Sequence, residues 1–374
     1  MKVYEGRSAG ADAEAAVNEA TSGWPSTVEM IFAFHSPRLD AQEVAATLAR
    51  TFPAARVVGC TTAGEFLGES HCKGELVVAG LVTPRIRWSA PVVMDASTFD
   101  AEAAARATRN LLASVDRVYD DLDRSKHFCV MLIDGLCGRE ETVTAAMAEA
   151  LAGVPLVGGS AGDDLAFKQT RIISGGEAYD GSVVFVLAES ETPFEIVKHQ
   201  HFVKTNRYLA VTRVVPQERR VVEIDGMPAA TAYARALGIE RESFTAEVAF
   251  ANPLTFQCNG ELYVRSVQRV DPDGSIVFYC AVEEGMVLDV GGHEEIDTAL
   301  ALHAGPDRSE GTFMLAFNCI LRALEADSLK KHETLGRELR RFSRHVIGFD
   351  TYGEQLNGLH INQTVVGVVL GGAA

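Results

Sequence analysis

The sequence predicts an α/β protein with two pseudo-repeated halves. Each half is built from strand-helix-strand-hairpin units, with mixed or antiparallel sheets and helices outside. Three observations predict this. One short turn recurs three times, each copy after a short apolar strand: Gly59-Cys60-Thr61-Thr62-Ala63-Gly64-Glu65, Gly158-Gly159-Ser160-Ala161-Gly162-Asp163 and Gly348-Phe349-Asp350-Thr351-Tyr352-Gly353-Glu354. The outer copies share Gly, Thr, Gly and Glu at the same offsets; the middle one is a residue shorter and ends in Asp. The elements around the turns recur in the same order, as an internal duplication would make them. Between the second and third copies lies a strand-rich region, 194–226.

Taken in order, residues 11–20 read as a helix and 27–34 as a buried strand broken by His35-Ser36-Pro37. Asp40 can cap a helix to about Thr51, with Val44, Leu48 and Phe52 on one face, and Pro53 ends it. Residues 56–60 lead into the first turn; strands follow at 75–82 and 86–94, and an Ala-rich helix at 100–119. The pattern restarts with a strand at 127–133, a helix at 139–152 and a strand at 156–159 entering the second turn. Residues 171–173 and 182–188 read as a hairpin. Pro228 opens a helix that ends at Gly238. Strands at 261–269 and 275–281 are joined by Asp271-Pro272-Asp273-Gly274, a hairpin signal. A strand at 313–317, a basic helix at 333–344 and a strand from Val346 form the third unit, which closes with an apolar strand at 361–370. The segment 220–280 reads as a degraded fourth unit. The expected domains are an N-terminal extension, 1–26, then 27–205 and 206–374.

The chain has 374 residues, 47% hydrophobic and 23% charged, so a sizeable core is expected. A net charge of −17 disfavours nucleic acid and anionic membrane surfaces as partners. Seven cysteines without a CxxC pair argue against a disulfide framework or a structural zinc site and for a reducing cytoplasm. The first residues lack the apolar core of a signal peptide, and no apolar run is long enough to span a membrane. A homodimer is compatible with the sequence.

The turns are the first candidate site. Backbone N–H groups in a Gly-rich turn can cradle a carboxylate, and Glu65, Asp163 and Glu354 can take an ammonium group. With Thr61, Thr62, Ser160, Thr351, Tyr352, Asn362 and the guanidinium of Arg322 they would suit a zwitterion such as an amino acid. The plain alternative is a tight corner whose acid caps nearby N–H groups. None of the copies matches a phosphate-binding glycine fingerprint. The third copy is the richest, beside Gln355, Asn357 and His360. Arg265 and Arg139 are further carboxylate partners or surface ion pairs.

Histidine is the second candidate. His199 and His201 would share one face of a strand, with Phe194, Phe202 and Tyr208 able to line a pocket. His360 alternates with apolar residues. All three can be ordinary strand residues instead. A third candidate is a Cys-dependent enzyme at Cys319 paired with His360 or His345, against a buried thiol at a strand end. No GxSxG, HExxH or fixed carboxylate pair is present, so no enzyme is expected. Arg340, Arg341 and Arg344 form a basic patch that reads as a solvated helix face or a site for an acidic partner.

GCTTAGEF, DGL..REE and VGGSAGDDLAF resemble the N-terminal half of the FIST sensory domain, and VVEIDGMPAATAYARALG, FNCILR and GFDTYGEQLNG.HINQT resemble its C-terminal half. The resemblance covers roughly residues 27–370. It implies a small-ligand sensory role in bacterial signal transduction, with amino acids as one ligand class. A subset of stand-alone members implies a second: non-covalent haem b that senses nitric oxide, modulating a histidine kinase or cyclic-di-GMP enzyme in trans, as in a two-component system. The FNCILR and GFDTYGEQLNG.HINQT wording is most similar to that subset, which points to His201 as axial ligand ahead of His199 and His360.

Overall fold

The computed structural model describes residues 1–258, 260–293 and 313–371. It has the expected α/β class, with four mixed or antiparallel sheets and helices outside them. The chain divides into two compact units. One is Met1–His199, Ala301–His360 and Val365–Ala374; the other is Gln200–Leu300 with Ile361–Thr364. The expected domains, 27–205 and 206–374, are continuous segments, whereas these units are not: the third repeat returns to the unit of the first two.

In the first unit three sheets share one plan. At the centre of each lie two parallel strands: Met30–His35 with Arg56–Thr61, His127–Ile133 with Leu156–Ser160, and Phe313–Cys319 with His345–Thr351. Each pair is joined across a sheet face by helix, Ala41–Thr51, Glu140–Ala150, or Ile320–Ser328 followed by His332–Arg340. An antiparallel strand, Leu76–Val82, Ser182–Ser190 or Val365–Leu370, flanks the first strand of each pair.

On the other side of each pair lies a strand from a different repeat. Glu65–Leu67, after the first turn, pairs with His345–Thr351. Glu354–Leu356, after the third, pairs with Leu156–Ser160. Ile172–Ser174, after the second, pairs with Arg56–Thr61. Each repeat therefore donates a strand to the next around a closed cycle. This corrects the hairpin expected from 171–173 and 182–188: Ile172–Ser174 turns back on Glu177–Tyr179, and Ser182–Ser190 belongs to another sheet. Periodicity marks both segments as strands but carries no information about which sheet edge receives them.

The cores follow the amphipathic helices. Val44 and Leu48 bury with Ile31 and Val57 on the first sheet. Leu111, Val143 and Met147 bury with Met131 and Phe185 on the second. Asp40 caps its helix as expected, accepting from Glu43 N at 2.8 Å. The Ala-rich helix stops at Ala113, short of the expected 119.

In the second unit the sheet runs Glu261–Arg265, Leu254–Cys258, Val287–His293, Phe202–Val215, Arg220–Ile224, Ile276–Phe278, Val267–Val270. Its described pairings are all antiparallel, so the expected fourth repeat in 220–280 is absent among the described residues. Helix Ala229–Leu237 ends at Gly238 in the left-handed conformation, as expected, while Pro228 sits one place before the helix rather than in its first turn. The Asp271–Gly274 turn does close a hairpin, with Gly274 N bonded to Asp271 O at 3.0 Å.

The first glycine of each turn has one physical cause. A β-carbon on Gly59 would lie 1.8 Å from Ala33 O, on Gly158 1.9 Å from Met131 O, and on Gly348 2.1 Å from Ala316 O. Each glycine is where the second parallel strand presses onto the carbonyl of the first, and backbone cannot yield there. Gly59→Ala should cost about 3 kcal/mol of stability by urea unfolding. Gly176→Ala, where the nearest atom is Ala49 Cβ at 3.4 Å, should stay within about 0.5 kcal/mol.

Candidate functional site

The three turns meet inside the first unit. Gly162 N donates to Thr61 O at 3.0 Å and Asp164 N to Thr62 O at 3.1 Å. Ala63 N donates to Asp350 O at 3.2 Å, and Asp350 N to Gly64 O at 2.8 Å. Ser160 N donates to Gly353 O at 2.9 Å, and Tyr352 N to Ser160 O at 3.1 Å. Every turn thus bonds both others through backbone. Gly64 (φ +153°) shows why the second glycine is needed: a β-carbon there would stand 2.4 Å from Asp350 Oδ2.

The expected ligand-binding side chains come together here but bond largely to one another. Thr62 Oγ1 donates to Glu65 Oε1 at 2.5 Å, and Thr351 Oγ1 to Glu354 Oε1 at 2.5 Å, the same three-residue step in both copies. Thr61 Oγ1 accepts from Arg171 N at 3.0 Å. Asp163 accepts from the amides of Phe167, Lys168 and Gln169 and from Tyr352 Oη at 2.5 Å. Ser160 Oγ accepts from Gln355 Nε2 at 2.8 Å, and that nitrogen lies 3.1 Å from His360 Nδ1. Thr62, Glu65, Ser160, Thr351 and Glu354 are fully buried. Asn362 belongs to the second unit, where its Oδ1 accepts from Cys280 Sγ at 2.9 Å.

Burial pushes the Glu65 carboxyl up to about 8, against the Thr62 hydroxyl and Glu75 amide that favour its charged form. Asp163 moves the other way. Burial would raise it, but the Tyr352 hydroxyl and three amides hold it below the usual carboxylate range. Burial lowers Arg322, opposed by the charges of Glu325 and Glu354.

A polar chain leads outward from the third turn. Arg322 Nε donates to Asn318 Oδ1 at 3.3 Å, Asn318 Nδ2 to Asp350 Oδ1 at 2.7 Å, and Asp350 Oδ2 lies 2.6 Å from His71 Nε2. His71 stacks on Phe66 with ring centroids 4.2 Å apart. It also lines a cavity of about 540 Å³ with Arg7, Glu69, Glu75, Glu333 and Arg337. Among the described residues neither Arg7 nor Arg337 has an ion pair. The Cys72 thiol at this cavity is held above its ordinary range by burial and by Glu65 and Glu75, so it is not an activated nucleophile. A second cavity, of about 400 Å³, touches the first turn at Thr61 beside Arg38, Asp40 and Arg171.

The other candidates disperse. His199 ends strand Phe194–His199, and the next strand starts at Phe202, so His199 and His201 do not share a strand face. Gln200 explains the break, since its Oε1 takes the Phe202 amide at 2.5 Å. His199 meets Phe342 edge-on at 5.8 Å. His201, buried in the second unit, lies 4.4 Å from the Phe202 ring and 5.6 Å from the His293 ring. Tyr208 is exposed and Phe194 packs on Phe128. Cys319 pairs with Thr351 and His345 with Phe313, at opposite ends of two strands, which removes a Cys319–His345 couple. His345 Nδ1 lies 3.1 Å from Glu5. Arg265 lies over the Phe256 ring at 4.5 Å, and Arg139 precedes a helix. Arg340 and Arg341 bond within their own helix end, to Ser343 O and Glu338.

Sequence reasoning missed His71, Asn318 and the role of Asp350. The one available signal was a break in the repeat: Asp350 stands where the first copy has Thr61.

Two family models match the chain in succession, FIST N domain over residues 29–227 and FIST C domain over 229–357. An uncharacterized protein of Methanocaldococcus jannaschii is 23% identical over 252 residues, 63% of this chain and 48% of the relative. The chain spans about half the length of that curated relative. Among solved structures, cyanuric acid hydrolase from A. caulinodans aligns over 99% of both chains with 10% identity and a TM-score of 0.37. That likeness corrects the expectation that no enzyme is involved: a hydrolase aligns over the whole chain, so the exclusion is withdrawn. At that TM-score it assigns no activity either. No helix among the described residues is long and apolar enough to cross a membrane.

Glu65 gives the site a pH signature. Its folded pKa lies above the unfolded one, so its contribution is full below the unfolded value of 4.5 and is lost as pH rises through about 8. Relative to Glu65→Gln, the protein should lose about 1.4 kcal/mol of stability per pH unit between these values, measured by urea unfolding across pH 5–8.

Proposed function

Because the chain belongs to the FIST domain family, whose domains are associated with sensing in signal transduction, we propose that it senses an amino acid or a similar zwitterion at the cavity of His71. The observation that carries this reading is the 2.6 Å contact between His71 and Asp350. It joins a wall of the cavity to the centre where the turns meet. Arg7 and Arg337 would take the carboxylate and Glu69 or Glu75 the ammonium group. The turns supply the mechanical link, not the ligand contacts, since their hydroxyls and acids already bond one another. A ligand that moves His71 also moves the acceptor of Asn318 and, through it, the partner of Arg322. Output would pass to a histidine kinase or cyclic-di-GMP enzyme in trans.

A second reading has one observation in its favour. His201 is buried with Phe202 and His293 against its ring, an aromatic setting that suits the axial histidine of a non-covalent haem. Bound haem would supply the iron that takes nitric oxide.

Isothermal titration with a panel of the twenty amino acids tests the first reading. At least one should bind, and Arg337→Ala should weaken it at least tenfold, as loss of a charge-assisted contact does. A panel without heat, or unchanged affinity in the variant, ends that reading. An absorption spectrum after haem reconstitution tests the second. It expects a Soret band that disappears in His201→Ala, and a protein that takes up no haem rules it out.

A further inference from the structure

A separate cavity of about 410 Å³ in the first unit carries four arginines, Arg56, Arg85, Arg87 and Arg117, in a chain whose net charge is −17. Three carboxylates share its wall, each with at least one oxygen engaged, while the buried Glu189 Oε2 makes no hydrogen bond among the described residues. Glu189 Oε1 accepts from Arg117 Nε at 3.1 Å and Nη2 at 2.9 Å, and its Oε2 lies 4.0 Å from Arg87 Nη1. Glu29 Oε2 accepts from Thr83 N at 2.9 Å and Thr83 Oγ1 at 3.0 Å. Glu191 meets Arg85 at 3.8 Å. The Trp88 indole is spent as well, donating to Thr83 Oγ1 at 2.9 Å.

Arg56 is different. Its guanidinium makes no hydrogen bond and no ion pair among the described residues, and its Nε is out of solvent without an acceptor. The backbone there is fixed: Arg56 opens strand Arg56–Thr61, its N donates to Glu29 O at 2.9 Å, and its Cα is in register with Met30. The fork lines the cavity without a protein acceptor among the described residues, while the nearby carboxylates serve Thr83 and the other arginines. A planar guanidinium fork is complementary to carboxylate or phosphate oxygens. We propose that this cavity is an oxyanion-binding site, with Arg56 as primary anchor and Arg85, whose pairing is long and exposed, as the second contact. It contains none of the turn residues and is independent of the zwitterion cavity.

The test is isothermal titration of the full chain with inorganic phosphate and, separately, with succinate, with sodium chloride at matched ionic strength as control. Saturable binding of at least one oxyanion is expected. Arg56→Gln should weaken it at least tenfold and Arg56→Lys less. Preference for phosphate or succinate identifies the source of the oxyanion. Should Arg56→Gln fail to fold by circular dichroism, Arg85→Gln replaces it, with a loss of at least threefold expected. No saturable heat from either anion, equal heat from chloride, or unchanged affinity in the variants overturns the proposal.

Discussion

The first unit depends on the mutual hydrogen bonding of three turns. Each corner gives backbone donors or acceptors to both others, and each is followed by a strand that completes a neighbour's sheet. Neither contact can form within one repeat. A single strand-helix-strand unit would leave the edge of its second parallel strand unpaired, and the corner amides that now bond across repeats would lose their partners. Closing the cycle removes both liabilities together. The repeats therefore stabilise one another around a ring, unlike a linear array whose end units stay half-paired.

That closure dictates the chemistry at its centre. Corners that bond backbone to backbone exclude water, so the acids that follow them are buried. Glu65 and Glu354 each receive a hydroxyl from the threonine three residues back, and Asp163 gathers three amides and a tyrosine hydroxyl. The solutions differ electrostatically. One hydroxyl and a long amide contact do not offset burial at Glu65, which takes up a proton readily, while four donors more than offset it at Asp163. The shorter middle turn is the source of the difference, because its acid faces the chain that follows it rather than a threonine.

Much of this architecture was legible. The recurrence of Gly59, Gly158 and Gly348 after apolar strands marked the repeats, because close approach of backbone admits only glycine and leaves a mark in sequence, but that each repeat pairs two strands in parallel was not among the expectations. The hydroxyl-to-acid step was visible as matching offsets. Exchange of the strands after the turns was not, since Glu65–Leu67 and Ile172–Ser174 are three residues long and their patterns name no partner. The histidine pair was misread for a local reason: Gln200 captures the next amide and ends the strand between His199 and His201. His71 was invisible because its relation to Asp350 spans 279 residues and exists only through strand exchange.

Repetition also decides where function can reside. Three equivalent corners do equivalent structural work, so whatever they share belongs to the fold. What is specific lies where the copies differ. At one offset the first has Thr61, which takes the Arg171 amide, and the third has Asp350, which takes Asn318 and His71. Ser160 and Asp350 occupy equivalent places after Gly158 and Gly348, yet Ser160 accepts from Gln355 while Asp350 reaches Asn318 and His71. The hairpin that crosses from the first repeat brings His71 to that carboxyl and sets it in a cavity wall with Arg7 and Arg337. The hairpin after the third turn also has a histidine in its second strand, His360 in Leu359–Ile361, but that ring lies 3.1 Å from Gln355 Nε2 rather than against an aspartate, and the hairpin after the second turn, Ile172–Ser174 with Glu177–Tyr179, has none. The symmetric part of the unit thus acts as a frame, and the polar chain from Arg322 to His71 connects that frame to a cavity.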